Sequence, residues 1–160
     1  MVAPRAEELV SRLRRAGAEL VALIEQVDER LWRRSPGQAI WSISKEAEHV
    51  ADAALLHQWF VRLTAGEKVP SRRPAIERAR MASDRSPAEV AALVRARTDE
   101  GERLIIGLSD EQIERPTRPP RARNQRLAET IELTLIGHYD VHRLSIEAKL
   151  RDLASAPMDA

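Results

Sequence analysis

The 160-residue chain contains no cysteine. That excludes disulfides, thiolate metal ligands and a cysteine nucleophile. A transition metal would have to be held by imidazole or carboxylate, and a sulfur nucleophile would have to arrive on another molecule. The absence is compatible with a reducing compartment. Aromatic residues are scarce at 3%, which leaves no broad stacking surface for single-stranded nucleic acid. Charge is balanced at a formal +1, and no helix face combines basic residues with base-reading side chains. No uninterrupted apolar run approaches the roughly 18 residues that a membrane span needs. The opening stretch, Met1 to Glu8, also lacks the apolar core of a signal peptide. A cytoplasmic protein is expected, with neither nucleic acid nor membrane as a partner.

Hydrophobic residues at 43% and charged residues at 32% suit a helical globular domain. Residues 1–160 read as one domain with a core over about 5–153. Leu9, Leu13, Ala16, Leu20, Leu23, Ile24, Val27 and Leu31 recur at three- and four-residue steps and predict a first helix from residue 5 to about 33. Arg12, Arg14 and Arg15 fall on its solvated face. Ser35-Pro36-Gly37 breaks the pattern, and the short connection favours an antiparallel pair with the next helix. That second helix begins near Ser42 or Ser44 and ends at Gly66. One apolar stripe on it holds Ile43, Ala47, Val50, Ala54 and Val61. A neighbouring stripe holds His49, Ala53, Leu56, Phe60 and Leu63.

Residues 67–86 carry Pro70 and Pro74 and form a connection too long for an ordinary loop, with a candidate helical turn at 75–81. Ser86-Pro87-Ala88-Glu89 marks a third helix by cap, proline and N3 glutamate, and that helix runs to about Gly107. A second long connection, 109–124, holds Arg115, Arg118, Arg121 and Arg123, with Arg126 following. It reads as a solvated loop or as a rim that recruits anions. The fourth helix spans about 127–153 and carries Ile131, Leu135, His138, His142 and Ile146 inward. One short and two long connections describe an all-α four-helix bundle with crossovers.

Of the four histidines, His138 and His142 stand one turn apart on the last helix, and His49 faces inward on the second. Three neutral imidazoles plus an open position make a catalytic-type metal site. The plain alternative is that each ring is satisfied by a buried carbonyl or carboxylate. His57 reads as a core-edge or pocket residue. Asp52 is a candidate to orient His49, though a solvated acid is the simpler reading, and Glu48 and Asp140 are expected to point away. Glu46-Ala47-Glu48-His49 contains a Glu-x-x-His step of the di-iron type. Leu135 and Tyr139 stand where a second copy would need glutamate, which argues against that architecture. No His-Glu-x-x-His motif of a zinc protease is present either. Trp32 and Trp41 read as core anchors, and Trp59 as a candidate pocket wall.

The segment Trp41-Ser42-Ile43-Ser44-Lys45-Glu46-Ala47-Glu48-His49-Val50-Ala51-Asp52, followed by His138-x-x-x-His142-Arg143, resembles the DinB/YfiT-like superfamily. The resemblance implies a four-helix bundle in which His49, His138 and His142 are the metal ligands. It implies one divalent ion, Zn, Ni, Fe or Mn, and often a homodimer. Relatives of known activity are transferases and isomerases that use a low-molecular-weight thiol such as mycothiol or bacillithiol. A metal-dependent enzyme, of the thiol-dependent transferase or isomerase type and acting on a small-molecule substrate, is therefore expected. A non-catalytic metal or small-ligand binding bundle, or a metal-dependent hydrolase, is the alternative. Many relatives carry glutamine three residues after the last histidine, where this chain has Ser145.

Overall fold

Apolar residues at helical spacing produce the expected helices in the computed structural model, which describes residues 3–117 and 125–155. In order these are α1 (Pro4–Glu25), α2 (Glu29–Trp32), α3 (Ile43–Ala65), α4 (Pro87–Ile106), α5 (Asp110–Ile113), α6 (Leu127–Thr130), a π-helical stretch (Ile131–Ile136) and α7 (Gly137–Ser155). The last three form one continuous rod. Among the described residues the only strand-like pairing is an isolated bridge between Pro116 and Arg126, and no helix is long and apolar enough to cross a membrane.

The first helix is shorter than its periodicity predicts. Asp28 turns its carboxylate onto the Arg30 N–H at 2.8 Å and caps a separate α2, which breaks the rod after Glu25. Helix α3 starts at Ser42, whose hydroxyl accepts from the Lys45 N–H at 3.2 Å, and stops at Gly66 with φ +88. Ser86 and Glu89 close the expected capping box on α4. Residues 75–81 make no helical turn. Glu77 instead accepts from the N–H of Ala79 and from Lys45, which holds the segment in an irregular path.

The π-helical stretch has no forewarning in apolar spacing. Its widened turn shows in the Gly137 N–H, which donates to the carbonyl of Glu132, five residues back. A Cβ at Gly137 would lie 3.1 Å from that carbonyl, so the small residue suits the wide turn. The register change falls immediately before His138.

Inter-helix partners fix the topology. Arg14 with Glu102 and Arg95 with Glu25 set α1 antiparallel to α4. Lys149 bonded to Trp41 and His142 to Glu46 set α3 antiparallel to α7. Glu48 with Arg85 and Gln58 with Arg97 set α3 parallel to α4. Helices α1 and α3 both pack against α4 and α7, so they face each other diagonally. They are antiparallel, as their short connection favours, but they are not neighbours. The parallel step from α3 to α4 requires the chain to return along the whole bundle. With α3 about 34 Å long at ~1.5 Å per residue, this accounts for the length of the 67–86 connection. That return path lays residues 77–85 along the first turns of α3.

The core joins Leu9, Leu13, Leu20 and Ile24 of α1 to Ile43, Val50, Val94, Ile105, Ile131, Leu135 and Ile146. The first stripe of α3 is fully buried, whereas the second emerges at Phe60 and Leu63, which are exposed.

Candidate metal centre

His49 occupies the second turn of α3, and His138 and His142 occupy the first two turns of α7. Because these helices are antiparallel and in contact, the three rings meet. One nitrogen from each lies within 4.8 Å of the other two. Ring centroids are 4.4 Å apart for His138 and His142, 5.2 Å for His49 and His138, and 5.1 Å for His49 and His142.

Two of these rings carry buried nitrogens with no protein partner, His49 Nδ1 and His138 Nε2. A buried unpaired donor or acceptor is destabilising by about 1–3 kcal/mol. Burial, reinforced by His142 and the charges of Arg78 and Lys45, pushes His49 down to about 4. Burial and the neighbouring histidines push His138 down to about 3. Both rings are therefore neutral near pH 7, with lone pairs free, as a divalent ion requires. The donor set fits a nitrogen-bound ion.

His142 is held differently. Its Nδ1 donates to Glu46 Oε1 at 2.7 Å, which leaves Nε2 as the free acceptor. Glu46 is buried, with its other oxygen paired to Lys149. Burial alone would raise the Glu46 carboxyl. Hydrogen bonds from His142, Lys149 and Ser145 outweigh it and hold the group down at about 2. The Lys149 ammonium also donates to the Trp41 carbonyl at 2.7 Å, tying the chain entering α3 to the fourth turn of α7. Carboxylate support of a ligand imidazole fixes its tautomer and aim.

Several side chains stand elsewhere than the sequence predicts. Glu48 is buried, not solvent-facing, paired with Lys45 at 3.4 Å and with Arg85. Asp52 is half-buried, and no hydrogen bond joins it to His49 among the described residues. Asp140 is half-buried, and its charge acts on Arg15 of α1. Trp32 is the core anchor expected, its indole N–H donating to the Arg85 carbonyl at 2.7 Å. Trp41 is half-buried beside His49, with centroids 4.9 Å apart, and forms a wall of the site. Trp59 bonds the Pro70 carbonyl at 3.0 Å and braces the connection. His57 packs edge-on to His138, centroids 4.9 Å apart, and so joins the cluster.

Two arginines at the second long connection, read as a solvated loop or an anion-recruiting rim, are committed to protein partners. Arg115 bonds the Ala65 carbonyl at 2.9 Å and Arg126 pairs with Glu114. Ala65 lies about 24 Å along α3 from His49 at ~1.5 Å per residue. Arg118, Arg121 and Arg123 lie outside the described residues. Arg78, on the return connection, is instead the arginine whose charge reaches both His49 and His138. Its neighbour Glu77 is bolted to Lys45, one turn before His49, at 2.9 Å.

Glu46 and Lys149 were the functional residues that sequence reasoning missed. The signal was present, since Glu46 precedes His49 by three positions and Lys149 follows His142 by seven, each a helical step.

The pattern of the DinB superfamily matches residues 12–146, from α1 through both histidines of α7. The chain belongs to the DinB superfamily. No curated protein matches it. Among solved structures, YfiT from Bacillus subtilis, described as "a probable metal-dependent hydrolase with an unusual four-helix bundle topology", is 17% identical with a TM-score of 0.75, covering 98% of this chain and 92% of that one. A mycothiol-dependent maleylpyruvate isomerase is 15% identical with a TM-score of 0.66, covering 94% of this chain and 68% of its own. A protein from Streptococcus pneumoniae is 13% identical with a TM-score of 0.68, covering 96% and 94%. At these identities the likeness establishes the fold. The diagonal placement of α1 and α3 gives this DinB protein a four-helix topology with a parallel crossover, and the three-histidine cluster sits where that crossover returns.

Proposed function

We propose that this DinB protein is a metal-dependent enzyme that uses a low-molecular-weight thiol, of the mycothiol or bacillithiol type, in a transferase or isomerase reaction on a small molecule. The observation that carries the reading is the meeting of His49, His138 and His142 within 4.8 Å with buried nitrogens unpaired. His49, His138 and His142 would hold one divalent ion, with Zn, Ni, Fe and Mn all compatible with imidazole. When bound, such an ion supplies acidification of a thiol or water and polarisation of a carbonyl. The chain's own residues orient and exclude. Glu46 and Lys149 fix His142, and Trp41 shields one side of His49. With no cysteine present, the sulfur must come from a cosubstrate. Arg78 supplies positive charge beside the rings for an acidic one.

The description of YfiT favours a second reading, hydrolysis by activated water, on the same ligand set. Metal-loaded protein assayed on thiol-transfer, isomerisation and ester substrates, with and without mycothiol or bacillithiol, separates the two. Turnover that needs the thiol and vanishes in His138→Ala supports the transferase or isomerase. Turnover without thiol supports the hydrolase, and metal binding with no turnover supports a binding protein. A homodimer belongs to the same proposal, supported by the exposed apolar side chains Leu133, Val141 and Leu144 on the outer face of the last helix. Its solution mass would be twice 18.0 kDa.

A further inference from the structure

Residues 77–85 of the return connection are fastened to the first turns of α3. Glu77 accepts from the buried Lys45 ammonium at 2.9 Å, one turn before His49, and Arg85 pairs with Glu48, the residue before it. Backbone ties add to these. The Ser42 N–H donates to the Met81 carbonyl at 2.9 Å, and the Ser83 N–H to the Ser44 hydroxyl at 3.0 Å. The other Glu77 oxygen accepts from the Ala79 N–H at 2.6 Å, so the backbone at residue 78 is pinned on both sides. Three arginines lie in this segment. Arg80 pairs with Asp84 at 2.8 Å and Arg85 with Glu48. Arg78 is exposed and makes no ion pair or hydrogen bond among the described residues, yet its charge acts on both His49 and His138.

The acids around the rings are already answered. Glu46 is matched by Lys149, and Glu48 and Glu77 are matched by Lys45 and Arg85. Asp52, one turn beyond His49, stands in the field of Lys45, Arg85 and Arg97. Three neutral imidazoles leave a divalent ion its full charge. Arg78 and such an ion would be like charges at one site, with no carboxylate of the described residues committed to either. Like charges repel unless an anion comes between them. That anion has to come from outside the chain.

We propose that Arg78 is the specificity-determining residue for a small carboxylic acid, whose carboxylate it binds while the other end of the same molecule reaches the ion held by His49, His138 and His142. Guanidinium suits the task, because its parallel N–H groups match the two oxygens of a carboxylate. The exposure of Arg78 leaves those donors open to an arriving molecule. Its pinned backbone decides where the acid end lies, and so which end meets the ion.

The inference deepens the three-histidine metal reading and rests on it, and the experiment separates the two. Co(II)-loaded wild type, Arg78→Gln and Arg78→Lys are titrated with mercaptoacetate, mercaptopropionate and mercaptobutyrate, each with a terminal thiol, and with their methyl esters. The thiolate–Co(II) charge-transfer band reads binding, and thermal melts confirm that each variant is folded. In the wild type at least one acid is expected to bind about 10–100-fold more tightly than its ester. Arg78→Gln should remove that preference and leave ester binding unchanged. Its Co(II) affinity should not fall, because a positive charge has been lifted from beside the ion. Arg78→Lys keeps the charge without the paired donors and should hold part of the preference. A preference that survives Arg78→Gln would mean that the acid chelates the ion unaided, overturning the proposal and leaving the metal reading intact. So would a wild type in which no acid outbinds its ester. A wild type that takes up no Co(II) would remove the metal reading, and this inference with it.

Discussion

Glu46 is the residue on which the aim of the site depends. It is buried, it accepts from His142, and its second oxygen is paired with Lys149. Replacing Glu46 by glutamine removes the charge that both partners need. Metal affinity is expected to fall about 10–100-fold, with the metal-free melting temperature also lowered because Lys149 keeps a buried charge without its counter-ion. Unchanged affinity in a chelator competition would show that the carboxylate serves only packing. The histidines themselves make a pH prediction. Burial lowers His49 and His57 to about 4 and His138 to about 3, from 6.5 when exposed. Between those values the unfolded chain binds more protons than the folded one, so stability rises with pH there. It is fully present above about pH 6.5 and is lost progressively as pH falls toward 4. Glu46, lowered from 4.5 to about 2, extends the same trend downward. Melting temperatures of the metal-free protein should fall from pH 7 to pH 5. A flat profile would mean that the rings are not buried as neutral groups.

At the scale of elements, α1 and α4 approach closely where Gly17 faces Thr98. A Cβ at position 17 would lie 2.5 Å from the Thr98 hydroxyl oxygen and 2.8 Å from its methyl carbon. That hydroxyl is tied to the Val94 carbonyl at 2.8 Å, so it cannot simply turn away. Gly17→Ala should therefore destabilise by about 1–3 kcal/mol despite alanine's better helix propensity. This corresponds to ~2–4 °C per kcal/mol for a chain of this size. Thr98→Ala in the same chain should recover most of the loss. A stabilised Gly17→Ala would show that these helices can separate without cost.

Over the whole molecule, the His138/His142 pair, the inward stripe that holds His49 and the four long helices were legible because each follows from local spacing. His138 and His142 are a helical step apart, and apolar residues recur at that step in every long helix. Three things were not legible, and each depends on contact between distant segments. The diagonal placement of α1 and α3 comes from which helix covers which. Glu48 is buried because Arg85 arrives from the return connection. His57 joins the cluster because α7 passes it in the antiparallel sense. The π-helical stretch escaped for another reason, since one widened turn barely disturbs the apolar pattern that surrounds it.

The central claim is that the three rings are a metal site and not a self-satisfied part of the core. Elemental analysis of tag-free protein, purified without chelator, beside His138→Ala/His142→Ala tests it directly. About one divalent metal per chain is expected in the wild type and none in the variant. A wild type that holds no metal, and takes up neither added zinc nor added nickel, would contradict the account.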